Sequence, residues 1–147
     1  MWGGDVVDIA YIRQTPAPEN NNAVVKTIVN DRNGNVKEYF YDGGNRCTMM
    51  REYTGRANPT QPTTETANRA VNKLRATDPD YFETRYEYNS DYKRTRTIYP
   101  NGDITENIYG ADMNPAVSAR FRGNLIETRH TPGSHVPAGD QSLLVDK

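Results

Sequence analysis

Two Asn-Gly pairs, Asn33-Gly34 and Asn101-Gly102, each stand between short runs rich in β-branched and aromatic residues. Glycine reaches positive φ without a Cβ penalty and asparagine tolerates it, so such a pair folds one strand back on the next as an antiparallel hairpin. Val24 to Val29 thereby pairs with Val36 to Tyr41, and Arg94 to Tyr99 with Ile104 to Tyr109. Ten Tyr, ten Val, seven Ile and fifteen Thr against four Leu is the usage of half-buried pleated surfaces rather than of helices with a broad Leu stripe. The expected fold class is all-β, built of antiparallel β-hairpin repeats.

The remaining segments extend that pattern. Val6 to Ile12 reads as a first strand, Arg46 to Tyr53 as a third in the first hairpin set, and Leu125 to Arg129 as a last one. Tyr81 to Tyr88 carries aromatics at 82, 86 and 88, which a strand places on one face. Asp42-Gly43-Gly44-Asn45 and Asn89-Ser90-Asp91 read as turns. Residues 55–80 are a polar excursion from the sheet, with one helical turn suggested at Val71 to Leu74, and residues 112–123 are a Pro- and Gly-marked link. The chain then divides into an N-terminal strand and Pro/Asn-rich link (1–22), hairpins (23–54), a loop insertion (55–80), further hairpins (81–130) and a flexible tail (131–147). Leu143-Leu144-Val145 within that tail reads as another strand cut short.

Charge narrows the function classes. Eighteen basic residues against nineteen acidic ones leave a net charge of −1, with no basic stripe, so neither nucleic acid nor an anionic membrane is an expected partner. No apolar run approaches the 18 residues of a membrane-spanning helix, and the start Met1-Trp2-Gly3-Gly4-Asp5 lacks the pattern of a signal peptide, so any export signal is expected outside this chain. Leu, Ile, Val and Phe total 24 of 147, too few long apolar side chains for a deep core. A β-rich chain of that kind gains stability by stacking on neighbours, which predicts a segment of something larger.

An internal repeat sharpens the reading. Gly34 to Tyr41 and Gly102 to Tyr109 share a seven-residue spacing, with Val36 and Glu38 matching Ile104 and Glu106. Tyr86-Glu87-Tyr88-Asn89 copies Tyr39-Phe40-Tyr41-Asp42. The stretch from Gly34 through Tyr39, Tyr41 and Asp42 to Arg46 resembles the YD repeat of Rhs proteins: Tyr-x-Tyr-Asp, two residues, Gly, Arg. Asn45 stands at the motif glycine; Tyr86, Tyr88 and Asn89 form a second copy, with Lys93 at the arginine place; Gly102 and Tyr109 belong to a third, with Gly110 at the aspartate place.

That resemblance, over residues 24–130, implies a curved strip of sheet from a larger YD-repeat β-solenoid shell in a secreted or cell-surface bacterial protein. Its partners would be flanking repeats of the same polypeptide, and beyond them an encapsulated toxin domain or a cell-surface carbohydrate or protein. The family's self-cleaving Asp-Pro-x-Gly-Leu motif does not occur: Asp78-Pro79 is followed by Asp80-Tyr81. The alternative reading is a stand-alone β module that binds carbohydrate or a partner protein, suggested by exposed-type Tyr with thirteen Arg to five Lys, and by Arg94/Arg96 and Arg120/Arg122, each pair on one strand face if extended.

Catalysis, metals and cofactors are not expected. His130 and His135 are separated by Pro132-Gly133 and have no Cys or carboxylate cluster beside them. Ser118, Ser134 and Ser142 lack a nucleophile elbow, and Cys47, the single cysteine, sits within a strand as an inert thiol. A hydrolase would need a cleft gathering at least two of Glu38, Asp42, Glu83 and Glu87.

Overall fold

A computed structural model describes residues 7–58, 64, 70, 72–135 and 144–146. They form a mostly antiparallel open β-sheet, with few helical residues. The chain divides into two compact units, Met1–Glu83 and Thr84–Lys147, the division falling inside one strand.

In the first unit, β1 (Asp8–Arg13), β2 (Val25–Asn30), β3 (Asn35–Tyr41) and β4 (Cys47–Arg56) run as a meander, each antiparallel to the last. The strand β5 (Tyr81–Tyr88) begins here. Alternation sets the faces: Ile28, Val36, Phe40 and Met49 are buried on one side, whereas Ile9 and Tyr11 on the other are 48% and 74% exposed. The buried side is covered by the chain's own links. Ala23 packs with Phe40 and Met49, and Ala57 packs with Ile28 and Val36, flanked by Ala10, Ile12, Tyr53 and Ala70. A 3-10 turn at Pro18–Asn20, followed by left-handed Asn21 and Asn22, shapes the first of these links, and Asn21 Nδ2 donates to Thr48 O at 2.7 Å.

In the second unit, the rest of β5 leads into β6 (Arg94–Ile98), β7 (Ile104–Tyr109), β8 (Leu125–Thr131) and β9 (Leu144–Asp146), again a meander of antiparallel neighbours. The buried side chains described there are small: Thr84, Thr97 and Ala111. Here the sequence reading needs correction. The link before β8 holds two short helices, α1 (Gly110–Met113) and α2 (Ala119–Arg122), so Arg120 and Arg122 share a helical turn and not a strand face. Four-residue helices leave no periodicity to read. Residues 72–74 are not helical, and Val71 lies outside the described residues. Strand β8 runs through Thr131, so part of the expected tail belongs to the sheet.

Four five-residue turns share one geometry. In Asp31–Asn35, Asp42–Arg46, Asn89–Lys93 and Tyr99–Asp103 the first residue's N–H donates to the fifth residue's carbonyl at 2.9–3.0 Å, and its own carbonyl accepts from the fourth. The fourth residue is left-handed in each: Gly34 at φ +78°, Asn45 at +61°, Tyr92 at +61° and Gly102 at +86°. A tyrosine in that region carries a Cβ clash of about 1–2 kcal/mol that Gly avoids and Asn softens by local hydrogen bonding. A Cβ on Gly34 would also stand 2.3 Å from the Ala57 carbonyl oxygen. Tyr92→Asn should therefore raise the urea-unfolding free energy by about 1 kcal/mol, whereas Gly34→Ala should lower it by at least as much. A destabilised Tyr92→Asn variant would show that the ring's contacts outweigh the backbone strain.

Candidate functional site

The repeat-motif residues occupy equivalent backbone places. Tyr41, Tyr88 and Tyr109 each end a strand just after a register shift, opposite Cys47, Arg94 and Leu125. The hairpin closes immediately beyond each of them, through Asp42 N to Arg46 O, Asn89 N to Lys93 O, and Gly110 N to Asn124 O. In the third place the two helices are inserted between the closing residues. Tyr39 and Tyr41 are half-buried on the face away from the first unit's core. Burial, followed by the neighbouring Cys47, Tyr39 and Tyr11, pushes the Tyr41 phenol up from its ordinary value. In the second unit, Tyr86 lies under the Arg94 guanidinium, 5.2 Å from the ring centroid.

The polar motif residues close the turns. Asp42 Oδ1 accepts from the N–H of Gly44 at 2.9 Å and of Arg46 at 3.0 Å, and Oδ2 meets the Arg46 guanidinium at 2.7 Å. Burial alone would raise the Asp42 carboxyl; the Arg46 guanidinium and the two backbone N–H groups outweigh it and hold the carboxyl below its usual range. Asn89 Oδ1 caps Asp91 and Lys93 at 3.0 Å each, the same two contacts without the charge. Gly34 and Gly102 occupy the left-handed places described above.

Ion pairs that the sequence reading did not anticipate run across the strands. Glu38 is fully buried, with Lys26 Nζ 3.3 Å from its Oε1. It faces Arg51 in register. Arg51 lies over the rings of Phe40 and Tyr81, at 5.1 and 4.5 Å, and its Nε donates to Glu83 Oε2 at 2.7 Å. In the second unit Glu87, Arg96, Glu106 and Arg129 face one another strand by strand, with Arg96 3.1 Å from Glu87 and 3.7 Å from Glu106. Lys26 and Glu38 were legible in principle. They share the strand parity of Ile28, Val36 and Phe40, which places them on the core face.

The four carboxylates considered for hydrolysis are engaged by cations: Glu38 by Lys26, Asp42 by Arg46, Glu83 by Arg51 and Glu87 by Arg96. An open groove of 350 Å³ in the second unit is bordered by Glu87, Arg96, Glu106, Asn107 and Arg129, with Arg96 between the two glutamates. His130 Nδ1 is 3.1 Å from Thr105 Oγ1, and His135 is 3.7 Å from Asp103. Among the described residues no group of three or more His, Cys, Asp or Glu is placed to hold a metal ion, and no helix is long and apolar enough to cross a membrane. Cys47 is half-buried in β4, its thiol pushed up by burial. No family model matches the chain, and comparisons with curated proteins and with solved structures find no significant match.

Two outcomes follow. Removing one member of a buried ion pair strands the other, so Glu38→Ala should cost about 3–5 kcal/mol in urea unfolding, and the double change Lys26→Met with Glu38→Leu should cost less than either single loss. The Asp42 carboxyl titrates below its unfolded value of about 4, so its contribution is present above that pH and lost as pH falls through the folded value. Asp42→Asn keeps an acceptor for the two N–H groups but should flatten the stability decline below about pH 4; an unchanged acid limb would remove Asp42 from the account.

Proposed function

We propose that the chain is a structural strip from the wall of an Rhs-like YD-repeat protein, secreted or displayed on a bacterial surface, with no catalysis of its own. Its function is to extend a curved β-shell that encloses a toxin domain or presents a surface for cell contact. The observation that carries this reading is the equivalence of Tyr41, Tyr88 and Tyr109. Three tyrosines spaced unevenly in sequence occupy one backbone feature, a register shift followed at once by hairpin closure. The Glu–Arg pairing recurs with it: Glu38 and Glu106, three residues before Tyr41 and Tyr109, face Arg51 and Arg129.

A meander of this kind grows by adding strands at its edges, so flanking repeats are the first partners. In β1 Ile9 and Tyr11 are exposed, and Asp8 and Arg13 are its two charges. An edge strand with exposed Ile and Tyr favours pairing with a further strand. A second reading is a self-standing β module that binds carbohydrate or a partner protein. It is favoured by the way the first unit covers its own core with Ala23, Ala57 and Ala70.

The two readings separate in solution. The chain in isolation should associate with rising concentration by light scattering, and Ile9→Lys together with Tyr11→Lys should abolish that association. A monomer with a cooperative urea transition at every concentration would overturn the wall reading in favour of the self-standing module.

A further inference from the structure

The hairpin between β7 and β8 closes with the same backbone hydrogen bond as the hairpin between β3 and β4, Gly110 N to Asn124 O at 2.9 Å against Asp42 N to Arg46 O at 3.0 Å. Three residues separate the closing pair in the earlier hairpin, whereas residues 111–123 do so here. Closure does not require that length. What the extra residues add is surface: Met113 is 64% and Phe121 45% exposed, and Leu125 just beyond is 55% exposed. The Phe121 ring also carries the Arg120 guanidinium, 4.8 Å from its centroid, and exposed large apolar side chains on an inserted segment are where contact surfaces are found.

The insertion is held to the neighbouring turn. Arg122 makes a two-pronged pair with Asp91 at 2.7 and 2.9 Å and donates to Pro115 O at 2.7 Å. Asp112 accepts from Asn89 Nδ2 and from Tyr109 N–H, both at 2.9 Å. A Cβ on Gly110 would stand 2.3 Å from the Phe121 carbonyl oxygen, so α2 packs directly against that glycine's backbone. The turn to which both helices are tied carries Tyr92, left-handed and 63% exposed, where the matching places are Gly34, Asn45 and Gly102. Backbone strain kept for an exposed aromatic ring is a mark of a functional position, since Asn or Gly there would fold more easily. Arg122 and Asp91 neutralise each other, which leaves Lys93, whose side chain lies beside Gly123, Arg94 over the Tyr86 ring and Arg120 over the Phe121 ring against Asp112.

We infer that the Tyr92 turn and the α1–α2 insertion form a docking surface for an acidic, apolar-studded polypeptide segment. Tyr92, Met113 and Phe121 are its apolar anchors, and Lys93 and Arg120 supply the complementary charge. This surface lies wholly in the second unit and does not depend on the wall reading.

The test uses the full 147-residue chain and fluorescent synthetic peptides followed by anisotropy. One peptide alternates glutamate with leucine and phenylalanine, a second replaces glutamate with lysine, and a third replaces the apolar residues with serine. Only the first should bind, more weakly as salt rises. Met113→Ser with Phe121→Ser should weaken it about tenfold or more, as should replacing residues 111–123 with the Gly-Gly-Asn of the 42–46 turn. Tyr92→Asn should lose affinity while unfolding at no lower urea concentration than the parent, which separates contact from folding. Equal binding of the lysine peptide, unchanged affinity in the Ser variants, binding to phosphatidylserine vesicles in place of the acidic peptide, or self-association that Phe121→Ser abolishes would each overturn the proposal.

Discussion

One left-handed residue per turn sets the geometry from which the strand pairing follows. A five-residue reversal needs its fourth backbone unit at positive φ, and the side chain of the first residue can then reach the N–H groups of the third and fifth. Asp31, Asp42 and Asn89 do this. Because side chains alternate with a period of two, the turn that fixes the register also decides which residues face each other across strands. The opposition of Glu38 to Arg51 and of Glu87 to Arg96 therefore follows from backbone choices several residues away.

That register makes a polar interior workable. The first unit's buried face mixes Ile28, Val36, Phe40 and Met49 with Lys26 and Glu38, and a buried charge is tolerated only where an opposite charge and further polar contacts meet it. Lys26 and Arg51 both lie over the Phe40 ring, at 5.7 and 5.1 Å, so the aromatic face adds to the environment that holds the cations. Covering segments complete the face, since Ala23 and Ala57 bring small side chains against it without displacing the charged groups. The second unit, with only Thr84, Thr97 and Ala111 among its described buried side chains, relies more on cross-strand pairs at partly exposed positions. Such pairs contribute up to about 1 kcal/mol each.

Much of the strand pattern was legible because β-branched and aromatic alternation and Asn-Gly turns are local signals. The expected strands at 81–88 and 104–109 match β5 and β7, and the other expected strands overlap those observed, with ends shifted where pairing continues beyond the apolar run, as in β4 through Arg56 and β8 through Thr131. The α1–α2 insertion was read as a simple link because four-residue helices have no amphipathic period and are held by contacts distant in sequence, Arg122 to Asp91 and Asp112 to Asn89. Tyr92 was missed for a different reason. Its left-handed place follows from counting three residues past Asn89, as Asn45 follows Asp42, but tyrosine itself carries no turn preference.

The sequence by itself determined the antiparallel hairpin character of the chain and the positions of the turns, because those depend on φ preferences and side-chain alternation within a few residues. Only the tertiary structure decided which face of the first unit is covered, that Glu38 and Lys26 are buried together, and that the Tyr92 turn is tied to the inserted helices. Each of these depends on which segments meet across the sheet: Ala23 and Ala57 against the core, Lys26 diagonal to Glu38, Arg122 on Asp91. Contacts of that kind depend on the summed geometry of several turns and strands, so no local window of residues contains them.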